Sequence, residues 1–241
     1  VLSREEVRRL LAQLDGTTWL IVALIYGAGL RVLEALRLRV KDIDFQYKQL
    51  VVRDGKGQKD RVTTLPESLI DPLQRQLDRV KLLHQRDLRE GFGRVYLPHA
   101  LARKYPNANR EWAWQYVFPS AHRSIDPRSA IERRHHVTDS AIQKAVRSAV
   151  RNAEIVKPAS VHVLRHSFAS HVLQSSGDLR AVQERVEVDI VGFVRAEEPD
   201  QCVPVPEGGV STGWILACRC GTYKSGSIIE TMPNTASNRK T

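Results

Sequence analysis

Cysteine is scarce: three residues in 241, all late in the chain (Cys202, Cys218 and Cys220). An odd count confined to one end excludes a disulfide framework and fits a reducing compartment. Cys218-Arg219-Cys220 lacks the two-residue spacing and the second pair of a structural zinc site, so no metal is expected. Long apolar runs are missing too. The longest, Trp19 to Tyr26, is far below the roughly 20 residues that span a bilayer. No secretory leader is visible, so a cytoplasmic protein without a membrane partner is expected. A nucleotide-binding phosphate loop is also absent, because Gly55-Lys56-Gly57 is not followed by Ser or Thr and a helix. No cofactor is implied.

What is present in excess is positive charge. The chain carries 37 Lys+Arg against 27 Asp+Glu, net +10, which points to a polyanionic partner and most often to nucleic acid. The excess is uneven. Residues 187–241 hold 5 basic against 7 acidic side chains, leaving 32 against 20 in residues 1–186. The basic function therefore belongs to the first three quarters of the chain.

Periodicity predicts a mainly α protein with one small antiparallel sheet (α+β). Ser3-Arg4-Glu5-Glu6 is a capping box leading into an amphipathic helix. A helix over about 17–27 is apolar nearly all round and should lie in the core. A third runs from about Arg31 to Leu38. Residues 43–65 switch to β-type sequence around the turn Asp54-Gly55-Lys56-Gly57, which presents Lys56 near a hairpin tip. Pro72 begins a long helix that ends near Gly91. A short helix fits 98–104, Thr138 caps another over 139–153, and Ser160 caps the helix carrying His162 and Arg165. A further helix is expected from Asp178. Beyond about Glu184 helical periodicity stops and Pro, Gly and Ser accumulate, so residues 185–241 read as an aberrant, disordered tail. The abruptness of the change fits a shifted reading frame.

The chemistry concentrates at VHVLRHSFASHVL, residues 161–173. His162 and Arg165 stand one turn apart, so both leave the same face of a helix. Upstream, Arg31 follows a Gly-containing turn in GAGLRVLEALRLRV. Two guanidinium groups can neutralise the non-bridging oxygens of a phosphodiester as charge builds in a five-coordinate transition state. Lys56 can protonate the leaving 5′ oxygen, with Lys59 as its nearest competitor. Taken singly each residue is an ordinary surface group, and Gly-Lys-Gly alone is a common turn. Order and spacing give the set its meaning.

That ordered set resembles the tyrosine recombinase (phage integrase) family. GLRVLEALRL is similar to its first arginine motif, GKGQKDRVTTLP to its hairpin lysine motif, and HVLRHSFASHVL to its His-x-x-Arg motif. SSGDLRAVQE is similar to the segment that leads to the family's second histidine. The resemblance covers about residues 1–184 and implies a catalytic domain with Arg31, Lys56, His162 and Arg165 in catalytic roles. It implies DNA integration and recombination by transesterification without metal or cofactor. Residues 91–137, rich in aromatics and arginines, resemble the insertion of integron integrases. That implies gene-cassette sites folded from single-stranded DNA as substrates. Lys59, Arg61, Arg110, Trp112, Trp114, Arg133, Arg134 and His135 are the expected DNA contacts, with aromatics stacking on unpaired bases and arginines holding phosphates. Phe118 and Trp114 fit the core equally well.

The sequence departs from the family near its end. The family pattern puts a His or Trp about 23 residues after the second arginine and the nucleophilic tyrosine about 32 after. Those positions hold Val188 and Glu197, and Tyr223 is the sole tyrosine after Arg165. The arm domain that precedes the family's catalytic domain is also expected to be missing. The expectation is a shortened, inactive recombinase that binds DNA without forming a phosphotyrosyl ester, in which the family's tetramer is doubtful. The alternative is an inert DNA-binding module descended from an integrase.

Overall fold

The first helix, α1 (Arg4–Leu11), starts where the capping box places it. The Ser3 hydroxyl accepts from the Glu6 amide at 3.1 Å, and the Glu6 carboxylate accepts from the Ser3 amide at 2.7 Å. In the computed structural model, residues 1–53, 60–127 and 129–176 are described. Among them the fold is mainly α with small antiparallel sheets. α2 (Gly16–Ala28) buries every residue from Leu20 to Ile25. A helix apolar on all sides must be surrounded, and α2 touches α1, α3 (Val32–Leu36), α4 (Ile70–Arg89), α6 (Asp139–Asn152) and α7 (Val161–Ser176).

α2 ends at Gly29, whose φ of +64° is the left-handed conformation that glycine adopts at least cost. A Cβ there would lie 2.5 Å from Cε1 of Phe168 on α7. Gly29→Ala should therefore cost about 2 kcal/mol, from a forbidden backbone region and a clash together. Denaturant unfolding of the variant measures it.

α3 is shorter than its sequence pattern suggests. Arg31 stays extended (φ −73°, ψ 154°) as the N-cap because the Glu34 carboxylate accepts its amide at 2.8 Å. Three strands follow, β1 (Ile43–Asp44), β2 (Gln49–Val52) and β3 (Arg61–Thr64), in antiparallel order with Leu50 opposite Thr63 and Val51 opposite Val62. Leu50 and Val52 face the core, and the Thr63 hydroxyl donates to the carbonyl of Ala28 at 3.0 Å. The sheet is thus stitched to the end of α2, beside Arg31. α4 holds Pro72 in its first turn, where a missing N–H costs nothing.

The sequence pattern assigns only a short helix, over 98–104, to the segment after α4. It contains α5 (His99–Lys104) and a short ladder, β4 (Ser124–Ile125) with β5 (Glu132–Arg133). Two-residue strands are too brief for an alternating pattern to register. The segment is anchored by backbone bonds from Val40 to Gln115 and from Val117 to Leu38, at 3.1 and 2.9 Å. Phe118 is fully buried and belongs to the core. The boundary proposed at residue 184, the helix from Asp178 and the tail all lie outside the described residues. Among those described, no helix is long and apolar enough to cross a membrane.

Candidate active site

Residues 31 and 165 come together at Glu34. The Arg31 guanidinium donates to Oε1 of Glu34 at 2.8 Å, and Arg165 Nη1 lies 3.7 Å from Oε2. Arg165 also donates to the carbonyl of Gly29, so the glycine turn after α2 holds one guanidinium directly. A third arginine joins them: Arg61 Nη2, from β3, donates to Oε2 at 2.6 Å. Glu34 is 7% exposed, Arg61 8% and Arg165 4%, so this is an interior ionic cluster rather than a surface pair. Burial opposes ionisation of Glu34. The Arg31 amide and the Arg61, Arg31 and Arg165 charges outweigh it and hold the carboxyl below the usual carboxylate range.

Arg31 and Arg165 both line an open cavity of about 470 Å³, together with His162, Ser160 and the apolar side chains Leu30, Val32, Leu33 and Val161. His162 is exposed and packs edge-on against His166, one turn along α7, with ring centroids 4.3 Å apart. Lys56 and Lys59 lie outside the described residues. The strands flanking them are held by Arg53, which donates to Asp42 at 2.6 Å and to Asp60 at 3.3 Å.

The expected DNA contacts divide differently. Arg61 is committed to Glu34. Arg134 is largely buried and donates twice to Asp87, at 2.6 and 2.8 Å, and to the carbonyls of Ser120 and Ala121. Arg133 donates to the Val95 carbonyl and the Ser129 hydroxyl. These arginines organise the 90–137 segment from within. Trp112 is half-buried with its ring centroid 6.1 Å from that of buried His84. Trp114 has the Lys41 ammonium 2.9 Å from its ring centroid and Tyr105 beside it at 6.3 Å. Burial, with the Arg53 and Arg39 charges, pushes that ammonium down to about 8. Arg110 is exposed and His135 half-buried. Sequence reasoning missed Glu34 and Asp87. Glu34 had left a signal, since an acid three residues after Arg31 is capping spacing. No cluster of His, Cys, Asp or Glu suited to a metal ion occurs among the described residues.

Comparison with known proteins agrees with this architecture. The profile of the phage integrase family matches residues 1–187. An integrase/recombinase of Escherichia coli is 48% identical over 184 residues, covering 76% of this chain and 55% of the relative. Tyrosine recombinase XerA of Thermococcus onnurineus is 31% identical over 187 residues, covering 76% of this chain and 52% of the relative. The chain thus spans about half the length of the curated relatives it matches. Among solved structures, XerA recombinase superposes with a TM-score of 0.55 at 27% identity, over 83% of this chain and 60% of that one. XerH recombinase in a pre-cleavage complex with its difH substrate gives 0.54 at 21% identity, over 80% and 48%, a likeness of fold. The helical domain with its small antiparallel sheet is the fold of tyrosine recombinase catalytic domains. This chain belongs to the phage integrase family of tyrosine recombinases.

Proposed function

We propose that this chain is the DNA-binding and phosphate-activating part of a site-specific recombinase of the integron integrase type, acting on gene-cassette sites. The observation that carries the reading is the convergence of Arg31 and Arg165, from distant parts of the sequence, on Glu34 and on one cavity shared with His162. Glu34 neutralises part of their charge while the site is free of DNA and sets their spacing. A scissile phosphodiester would take one non-bridging oxygen on each guanidinium, with His162 at its edge and Lys56 protonating the leaving 5′ oxygen. The apolar wall of Val32 and Leu33 suits the sugar that carries that phosphate. Residues 1–184 form the catalytic domain in this reading, with 91–137 as its insertion.

The covalent step needs an attacking hydroxyl, and Glu197 stands where family spacing puts it. A carboxylate is repelled by the phosphate and does not form the same stable ester. The polypeptide therefore binds DNA without cleaving it, and assembly into the family's tetramer is not expected. A cassette-site substrate nicked to trap covalent intermediates tests this. Retarded migration on a native gel with no denaturation-resistant adduct is expected. An adduct would overturn the inactive reading and restore full recombinase chemistry. Loss of retardation would remove the DNA-binding reading as well.

A further inference from the structure

The cavity that holds Arg31 and Arg165 has a second cationic wall on another helix. Gln143 and Arg147 stand four residues apart on α6, so they share one face, and both line the cavity. Both are exposed. Among the described residues, no carboxylate lies within ion-pairing distance of Arg147 and no Asp or Glu lines the cavity. This sets Arg147 apart from Arg61, Arg123 and Arg134, each of which is engaged by an acidic side chain. An arginine turned into a cavity that already holds two others is repelled by them unless an anion joins it. The volume exceeds what one phosphate group fills. At about 470 Å³ it leaves room beside one bound phosphate for part of a neighbouring nucleotide of the same strand.

We infer that Arg147, with Gln143 one turn before it, forms a second anion position in the cavity that binds a phosphodiester neighbouring the one held by Arg31 and Arg165. The inference rests on the proposed reading of the cavity as a DNA site. Arg147 is a positioning residue: it fixes the register of the strand, so that one particular phosphate, and not the next, reaches the paired guanidiniums. The Gln143 amide can donate to the same phosphate or to the oxygen that links it to its sugar. Neither residue touches the scissile bond.

The experiment is the salt dependence of binding by the full chain to a short DNA duplex of arbitrary sequence. Each phosphate neutralised contributes about 0.9 to the slope of log affinity against log salt. Arg147→Gln should lower that slope by about 0.9 and weaken binding uniformly across sequences. Arg31→Gln should lower it by a similar amount, and the double variant by roughly twice as much. Arg75→Gln, on the exposed face of α4 away from the cavity, is the control for charge alone. If Arg147→Gln shifts the slope no more than Arg75→Gln while Arg31→Gln shifts it fully, the second position is refuted and the cavity reading stands. If neither Arg31 nor Arg147 matters, both fall. Arg147 is exposed, so circular dichroism of its variant should match that of the parent.

Discussion

Replacing Glu34 with glutamine should lower the free energy of unfolding by about 3 kcal/mol, near the lower end for removing one partner of a buried ion pair. Glutamine keeps the shape of the side chain, so the loss reports charge and not volume. Arg61 and Arg165 would remain almost fully buried without the anion that neutralises them. For a chain of this size that corresponds to a fall in melting temperature of roughly 6–12 °C. The effect is pH-dependent with a defined sign. Burial raises the Glu34 carboxyl, but the Arg31 amide and the arginine charges win, so its folded pKa lies below its unfolded one. Its stabilisation is complete above the unfolded value of about 4.3 and is lost as pH falls through the folded value. The gap between parent and variant should therefore be constant at neutral pH and close in acid. Calorimetry across that range checks it. A gap that widened in acid would mean that Glu34 is held neutral, contrary to its three arginine neighbours.

The same variant probes the site. With Glu34 neutral, the cluster holds an unbalanced positive charge that an added polyanion can satisfy. DNA should therefore raise the melting temperature of Glu34→Gln by more than that of the parent, because ligand that binds only the folded state stabilises it by mass action. Equal shifts would separate the ionic cluster from the DNA site and leave Glu34 a purely structural residue.

Local rules made much of this visible beforehand. The capping box at Ser3, the Gly-containing turn before Arg31 and the turn between His162 and Arg165 are short-range chemistry; the three-residue spacing from Arg31 to Glu34 is short-range too, and went unread. The apolar sweep from Leu20 to Ile25 could only be a core helix. The destinations of the arginines were not visible, because each depends on a partner far away in sequence. Arg61 meets Glu34 across 27 residues and Arg134 meets Asp87 across 47. In composition these side chains match Arg147, which lines the cavity with no acid beside it among the described residues. The β4–β5 ladder escaped for another reason: a pairing of two residues on each side has no period to read.

Arg134 supplies the second large effect. Basic and next to another arginine, it reads as a phosphate contact, yet its Nε and Nη2 donate to the two oxygens of Asp87, and Nη1 reaches the carbonyls of Ser120 and Ala121. Arg123 approaches the same carboxylate at 3.4 Å and reaches Glu90 at 2.7 Å, with its guanidinium 3.9 Å from the Phe92 ring centre. Asp87 thus ties the last turns of α4 to the 120–134 segment. Arg134→Ala should lower stability by about 3 kcal/mol, because it takes the bidentate partner from a buried carboxylate, leaving it only the longer Arg123 contact, and removes the donor to two loop carbonyls. Asp87→Asn should cost a similar amount, and the double variant clearly less than the sum, since the second change removes a partner already lost. At a temperature where each variant is still folded, the salt slope of DNA binding should match the parent's. A slope reduced by about one unit in Arg134→Ala, with stability unchanged, would return Arg134 to the phosphate-binding surface. The bidentate geometry argues against that outcome, because a guanidinium already saturated by a carboxylate and two carbonyls has little left to offer a phosphate.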